Sequence, residues 1–507
     1  MKAIFTRLAA IITLVCISVI AFSQNVHPDD KYSRQEVMIP MRDGVRLHTV
    51  IYTPKNQSGK LPFLMLRTPY GVQKYPSPER MNYVKDMADD GYIFVFQDIR
   101  GRYLSEGKYE MQRMSRDKSD PKAIDEASDT YDTIDWLLKN VPDNNGKVGE
   151  YGISYDGWTT IIAASDPHPA LVAVSEQATP SDMFMNDDLH HNGAFRLSYA
   201  FEYAFMEETS KTDTLFQFHD YDTYDWYLKL GPLSNINQKY VHGKLPSWNA
   251  YVEHPNYDDY WKRQSLHYRL DSPRVAIQNV SGWWDQEDMV GPQDVYKFLE
   301  KNDRHNRNFI VIGPWRHGGW AGGDGSSLGN IKFDGQKTGE YFRKEIQAKW
   351  FAWYLKGEGD GKFAEAITFQ TGSNEWKQYT AWPPKEAKTE NIYLHANGKL
   401  SFTAPAVDEG KTFDSYVSDP AKPVPYRERP VEETYGRGSR WYFWLTEDQR
   451  FVQNRPDVLS WETDTLTKDV TVTGNLLAKI YAATTGSDAD WVVKLIDVYP
   501  DEYPKEL

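Results

Sequence analysis

The stretch Gly149-Glu-Tyr-Gly-Ile-Ser-Tyr-Asp-Gly-Trp158 places a serine two residues after Gly152 and three before Gly157, where a short apolar run meets the small-residue segment 159–164. A tight strand-to-helix turn needs glycines for close backbone approach and pushes the serine hydroxyl out above a sheet, which makes Ser154 the candidate nucleophile. The pattern departs from a strict G-x-S-x-G, since the second glycine comes one residue late and Asp156 holds its usual place. Alone it fits a serine in an ordinary turn equally well. A serine hydrolase of this kind also needs, in chain order, an acid and then a histidine on loops beyond later strands. Two apolar runs supply one each: 274–280 leads into Ser281-Gly-Trp-Trp-Asp285, and 308–312 into Gly313-Pro-Trp-Arg-His317. Asp285 and His317 each lie five residues past their run, at matching heights above a common sheet. The chemistry this implies is acyl transfer, with His317 moving the proton of Ser154 and Asp285 fixing the imidazole tautomer.

A sheet must carry these side chains, and the pattern upstream predicts one. Residues 35–40 and 45–52 alternate on either side of Arg42-Asp-Gly44, as strand, turn and strand do. Runs 62–67 and 92–97 are continuously apolar, as strands buried on both faces must be, and 79–89 between them is expected to be a crossover helix. A helix over 126–138 and strands over 148–151 and 172–176 complete an alternation that predicts a doubly wound α/β sheet. From 177 to about 271 the alternation stops and Phe, Tyr, Trp, Asp and His crowd the chain, which predicts a mainly helical insertion, since buried-strand patterns resume directly afterwards. Residues 340–355 suit a closing helix. Short alternating runs at 367–370, 391–395, 470–472, 478–483 and 491–498 predict a C-terminal sandwich or jelly roll. The expected domains are a signal peptide over 1–23, an α/β unit over 24–176 and 273–360, a helical cap over 177–272, and a jelly roll over 361–507 that is expected to be incomplete.

Composition narrows the function classes. A chain of 507 residues with 17 Trp and 33 Tyr can bury a large core with deep pockets. Lys2 and Arg7 precede an apolar run over 8–22 that ends in Ala21-Phe-Ser23, the pattern of an export signal, so a periplasmic or secreted protein is expected. The single cysteine, Cys16, lies in that leader, which leaves the mature chain without disulfides or thiolate sites. A net charge of -14 opposes binding to nucleic acid or anionic lipid. The histidines lack H-E-x-x-H spacing, Asp143-Asn-Asn-Gly146 has no glutamate where a calcium loop needs one, and the glycines of 318–329 lack G-x-G-x-x-G spacing. No metal and no cofactor are therefore expected.

Gly152-Ile-Ser-Tyr-Asp-Gly157, Trp284-Asp-Gln-Glu-Asp288 and Gly313-Pro-Trp-Arg-His317, together with Arg67-Thr-Pro-Tyr-Gly71 and Asp98-Ile-Arg-Gly-Arg-Tyr-Leu-Ser-Glu-Gly107, resemble the α-amino acid ester hydrolases. These sit in the wider group of cocaine esterase, glutaryl-cephalosporin acylases and X-prolyl dipeptidyl aminopeptidases. The resemblance implies an α/β-hydrolase domain, a helical cap and a C-terminal jelly roll. It also implies an oxyanion hole from the backbone N–H of Tyr155 and the hydroxyl of Tyr70, and a carboxylate cluster for a substrate α-ammonium. Glu287 and Asp288 map onto that cluster, with Asp188 as the third member and Asp187 as the fallback. The implied substrates are small esters, amides or β-lactams whose acyl part carries a free amine, and family analogy points to a homo-oligomer. The alternatives on the same scaffold are an X-Pro-type dipeptidyl peptidase and a general acylase. A different class is a non-catalytic carbohydrate- or protein-binding protein.

Overall fold

The structure, a computed structural model, describes residues 30–186, 188–406 and 413–500. The expected signal peptide, Cys16 and Asp187 lie outside the described residues. Among those described, ten strands form one sheet: β1 (Tyr32–Pro40), β2 (Arg46–Pro54), β3 (Leu61–Thr68), β4 (Ile93–Asp98), β5 (Asn144–Ile153), β6 (Leu171–Gln177), β7 (Ala276–Gly282), β8 (Asn308–Gly313), β9 (Ala366–Gln370) and β10 (Glu375–Tyr379). Their order is β1-β2-β4-β3-β5-β6-β7-β8-β9-β10. From β4 to β9 neighbouring strands run parallel, and the hairpins β1-β2 and β9-β10 close the edges antiparallel. Strands β3, β4 and β8 are buried along nearly their whole length, which is why they read as largely apolar runs, while β7 is buried with Gln278, Asn279 and Ser281 among its residues.

Each face of the sheet is covered. On one, α1 (Glu126–Asn140) and α2 (Tyr155–Ser165) press Ile134, Leu137, Trp158, Ile161 and Ile162 onto Phe63, Met65, Val95 and Val148. Helix α1 starts where it does because the Asp125 carboxylate accepts from Ser128 N–H while the Ser128 hydroxyl accepts from Asp125 N–H, a reciprocal cap. On the other face, Trp350, Phe351 and Leu355 from a helical run over 338–356 meet Leu64, Phe94, Phe96 and Tyr151. Arg67 ties sheet to helix: its buried guanidinium donates to Gln97 Oε1, Thr130 Oγ1, the Glu126 carbonyl and Glu126 Oε2 at 2.8 to 3.0 Å.

The insertion is helical, with α3 (Leu197–Glu208), α4 (Thr223–Leu230), α5 (Pro246–Glu253) and α6 (Asp259–Gln264) around Phe201, Trp226, Trp248 and Trp261. The body resumes through β7 and α7 (Gly291–Glu300). No helix among the described residues is long and apolar enough to cross a membrane.

Four expectations differ from the structure. The crossover over 79–89 is a 3-10 turn at Pro78–Arg80 followed by one helical turn at Lys85–Ala88, the backbone between them closing tight turns in which Met81, Val84 and Met87 N–H donate to the Pro78, Met81 and Val84 carbonyls. Run 367–370, grouped by its alternation with the C-terminal sandwich, pairs with β8 as part of β9, since the edge of β8 offers backbone partners within reach. Runs 470–472, 478–483 and 491–498 form no strands in the structure and leave Val472, Tyr481 and Val492 exposed. An alternating segment becomes a strand only when another strand takes up its backbone N–H and C=O groups. Of run 391–395 only Tyr393–Leu394 is extended, paired with Leu400–Ser401.

Candidate active site

Ser154 sits between β5 and α2, half-buried, at φ 67° and ψ -129°. A non-glycine residue held at positive φ costs about 1 to 3 kcal/mol and persists only where its surroundings enforce it. They do so here through contact: a Cβ on Gly152 would stand 2.2 Å from the Asp156 carbonyl oxygen, and one on Gly157 would stand 2.5 Å from that of Gln177. Ser154 N–H donates to the same Gln177 carbonyl at 2.9 Å. Asp156, in the place of the usual glycine, is buried, and burial pushes its carboxyl well above the ordinary range.

The acid and the histidine arrive on adjacent loops. Strands β7 and β8 pair in register up to Gly282 opposite Gly313, and Trp283 and Trp284 N–H then donate to the Gly313 and Trp315 carbonyls at 2.9 and 3.0 Å. Both strands end later than expected, β7 by two residues and β8 by one, so Asp285 and His317 lie three and four residues past their ends. His317 Nδ1 is 3.0 Å from each Asp285 carboxylate oxygen, and Asp285 Oδ1 also accepts the N–H groups of Glu287 and Asp288 at 2.9 Å. The His317 loop adjoins the elbow, since a Cβ on Gly318 would lie 3.7 Å from Ile153 Cγ2. The structure thus joins Asp285 to His317 and sets their loop beside Ser154, while the ring of His317 is bonded to acids and not to the serine.

Tyr155 and Tyr70 take different parts. The Tyr155 side chain points inward, packing on Trp158 with its hydroxyl accepting from Gln112 N–H at 2.8 Å, so what it offers above the sheet is its N–H in the first turn of α2, which has no intrahelical acceptor. Tyr70 lies just past β3, and its hydroxyl shares a hydrogen bond with that of Tyr203 on α3 at 3.0 Å. Burial keeps the Tyr70 phenol well above its usual range, hence a neutral donor. The quoted Asp98–Gly107 motif holds this loop: Asp98 accepts from Val72 N–H and is 2.8 Å from His48 Nδ1, and Arg102 Nε donates to the Pro69 carbonyl at 3.0 Å.

Glu287, Asp288 and Asp188 are all buried, so they are no solvated acidic loop. Potential ligand atoms of Glu287, Asp288 and His317 lie within 4.8 Å of one another, a spacing that suits a small cation. Asp188 completes the set: its charge acts on Glu287, on His317 and on Tyr199. Arg196, at the start of α3, links the two loops by donating to the Gln286 and Asp188 carbonyls at 2.7 and 3.4 Å. Burial works against a charged imidazole, yet Asp285 and Glu287 outweigh it and push His317 up to about 9. Burial pushes Glu287 up to about 7, with Asp285 and Asp188 adding to it and His317 opposing.

Some contributors escaped sequence reasoning. Tyr199 and Tyr203, one helical turn apart on α3, reach Glu287 Oε2 at 3.1 Å and Tyr70 respectively, and their rings stack at 5.9 Å. The i, i+4 spacing of two tyrosines on a cap helix is the signal that could have found them. The C-terminal part supplies a wall, with Trp441 stacked on Tyr199 at 5.5 Å and Thr434 donating to the buried Glu202 of α3.

The chain is similar to known proteins over most of its length. A family profile described as X-Pro dipeptidyl-peptidase (S15 family) matches residues 43–319, and one described as X-Pro dipeptidyl-peptidase C-terminal non-catalytic domain matches 352–505. Cocaine esterase of Rhodococcus sp. (strain MB1 Bresler) is 28% identical over 499 residues, 93% of this chain and 82% of that protein. The crystal structure of an aminopeptidase from the marine sediment archaeon Thaumarchaeota archaeon superposes with a TM-score of 0.83 at 37% identity, covering 89% of this chain and 75% of that one. A selenomethionine-labelled α-amino acid ester hydrolase gives 0.81 at 37% identity, covering 90% and 76%.

Proposed function

Because this chain belongs to the X-Pro dipeptidyl-peptidase (S15) family, within the CocE/NonD group of α/β hydrolases, we propose that it is a serine hydrolase for esters and amides whose acyl part carries a free α-amine, amino-β-lactams among them. The observation that carries the finer reading is the buried convergence of Asp188, Glu287 and Asp288 beside the Asp285–His317 pair. Buried acids repel one another, and a substrate ammonium relieves that repulsion while an acyl group without one leaves it in place.

In the proposed reaction Ser154 Oγ attacks the acyl carbon as its proton passes to His317 Nε2. The oxygen that becomes negative is met by Tyr155 N–H and the Tyr70 hydroxyl. The acyl–leaving group bond then breaks, and the proton moves from Nε2 to the departing oxygen or nitrogen. Water, deprotonated by the same nitrogen, releases the acid and restores the serine. The experiment is turnover of phenylglycine methyl ester against its desamino analogue, where a strong preference for the amine supports the reading and equal turnover removes the carboxylate cluster from it.

A second reading, dipeptidyl peptidase, is favoured by the family descriptions matched over both parts of the chain, since a peptide N-terminus presents the same ammonium. A Gly-Pro chromogenic amide tests it. With the leader expected over 1–23, action outside the cytoplasm follows under either reading.

A further inference from the structure

His317 Nε2 is the atom that must receive the Ser154 proton, yet its neighbour in the structure is Glu287 Oε2, 3.3 Å away. That carboxylate is held there deliberately by its surroundings. Its backbone N–H is fixed by Asp285 Oδ1 at 2.9 Å, and the Tyr199 hydroxyl donates to the same Oε2 at 3.1 Å. The remaining charged groups facing the ring are Asp285 on Nδ1, Asp288 at 4.0 Å from Nδ1, and Asp188. Glu287 therefore occupies two places in the proposed reaction, as a ligand for the substrate ammonium and as a partner of the catalytic nitrogen.

These roles compete. A carboxylate that pairs with Nε2 favours the imidazolium, which carries a proton where the base must be empty. When an ammonium enters the cluster, the acids that held the imidazolium are shared with a second cation and their pull on the ring weakens. We infer that Glu287 is a brake released by substrate: in the free enzyme it engages Nε2 of His317, and the α-ammonium of a substrate draws it away, freeing that nitrogen to take the Ser154 proton. The proton displaced from the imidazolium goes to solvent. Selectivity for amine-bearing substrates then arises in the acylation rate as well as in binding, which is where differential stabilisation raises kcat. The inference rests on the ammonium-binding reading above and adds to it the contact between Glu287 and the base.

The test is the rate at which a neutral fluorophosphonate, which carries no amine, labels Ser154 at pH 7. Glu287→Ala removes the carboxylate without supplying another acceptor, and it is expected to label faster than the wild type, since each unit by which the imidazole pKa falls raises the neutral fraction about tenfold. Labelling of the wild type is expected to speed up with methylammonium chloride relative to potassium chloride at equal ionic strength, and labelling of Glu287→Ala to ignore the exchange. A Glu287→Ala protein with native circular dichroism that labels no faster than the wild type overturns the brake. Should that variant fail to fold, the wild-type pH profile decides: methylammonium must move its rising limb to lower pH, and an unmoved limb overturns the inference. Substrate turnover separates this from the parent reading. Loss of the preference for phenylglycine methyl ester in Glu287→Ala without faster labelling leaves the ammonium site standing and the brake refuted, whereas equal wild-type turnover of the amino and desamino esters refutes the site itself.

Discussion

The hydroxyl of Tyr203, on the cap helix α3, lies 3.0 Å from the hydroxyl of Tyr70, just past strand β3 of the body. A donor serving a developing oxyanion must be fixed before the charge appears. In the proposed reaction that donor is Tyr70, and the contact with the cap holds it. Tyr70→Phe is expected to lower kcat on phenylglycine methyl ester by about a hundredfold or more, the usual cost of losing one such donor. Tyr203→Phe leaves the donor in place and removes its anchor, so a drop of roughly threefold to tenfold is expected. Steady-state kinetics on both variants check the order.

The electrostatics of the site set its pH dependence. With His317 pushed up to about 9, the free protein holds the imidazolium at neutral pH, so kcat/KM is expected to rise with pH well above the ordinary histidine value of 6.5. The kcat profile, which reports the occupied site, is expected to rise at lower pH. The same shifts act on stability. Both folded pKa values are raised, so the contribution of Glu287 fades as pH climbs from 4.5 through about 7 and that of His317 as it climbs from 6.5 through about 9. The Tm loss of His317→Ala is expected to shrink across that second window, as thermal melts at several pH values would record.

The elbow tolerates no added carbon. Gly152→Ala and Gly157→Ala each drive a methyl group into backbone, at 2.2 Å from the Asp156 oxygen and 2.5 Å from the Gln177 oxygen. A destabilisation of roughly 1 to 3 kcal/mol is expected, with labelling of Ser154 falling further than the melting temperature alone explains, because the strained serine relaxes.

Arg67 is fully buried, and its guanidinium meets Gln97, Thr130 and Glu126. Arg67→Ala strands the Glu126 carboxylate and is expected to cost about 3 to 5 kcal/mol by urea unfolding, whereas Arg67→Met combined with Glu126→Leu, which leaves no unpaired charge, is expected to cost less.

How far the chain could be read beforehand depended on what each residue answers to. Strands β3, β4 and β8 were legible because both faces are buried and their sequences are largely apolar, and β7 because Ala276, Ile277 and Val280 stand in a short buried run. Counting on from those runs places Asp285 and His317 on neighbouring loops, and the structure sets His317 Nδ1 3.0 Å from Asp285 Oδ1. The role of Glu287 beside Nε2 was not legible, since it depends on the Asp285 turn and on a tyrosine 88 positions away. Pairing is equally invisible to periodicity: alternation groups 367–370 with the later short runs and does not show that β8 pairs with it in the main sheet. Exposed Val472 and Tyr481 mark the same limit, because alternation shows that a segment can be a strand and says nothing of its partner.

Covalent labelling of the intact protein by a fluorophosphonate, read by mass spectrometry for one adduct at Ser154, bears most directly on the proposed nucleophile. Wild-type protein is expected to take up a single label on the peptide containing Ser154 and to lose hydrolysis of phenylglycine methyl ester in step, while folded Ser154→Ala takes up none and hydrolyses nothing above background. A folded Ser154→Ala protein that still labels, or still turns the ester over at the wild-type rate, would contradict the assignment of Ser154 as nucleophile.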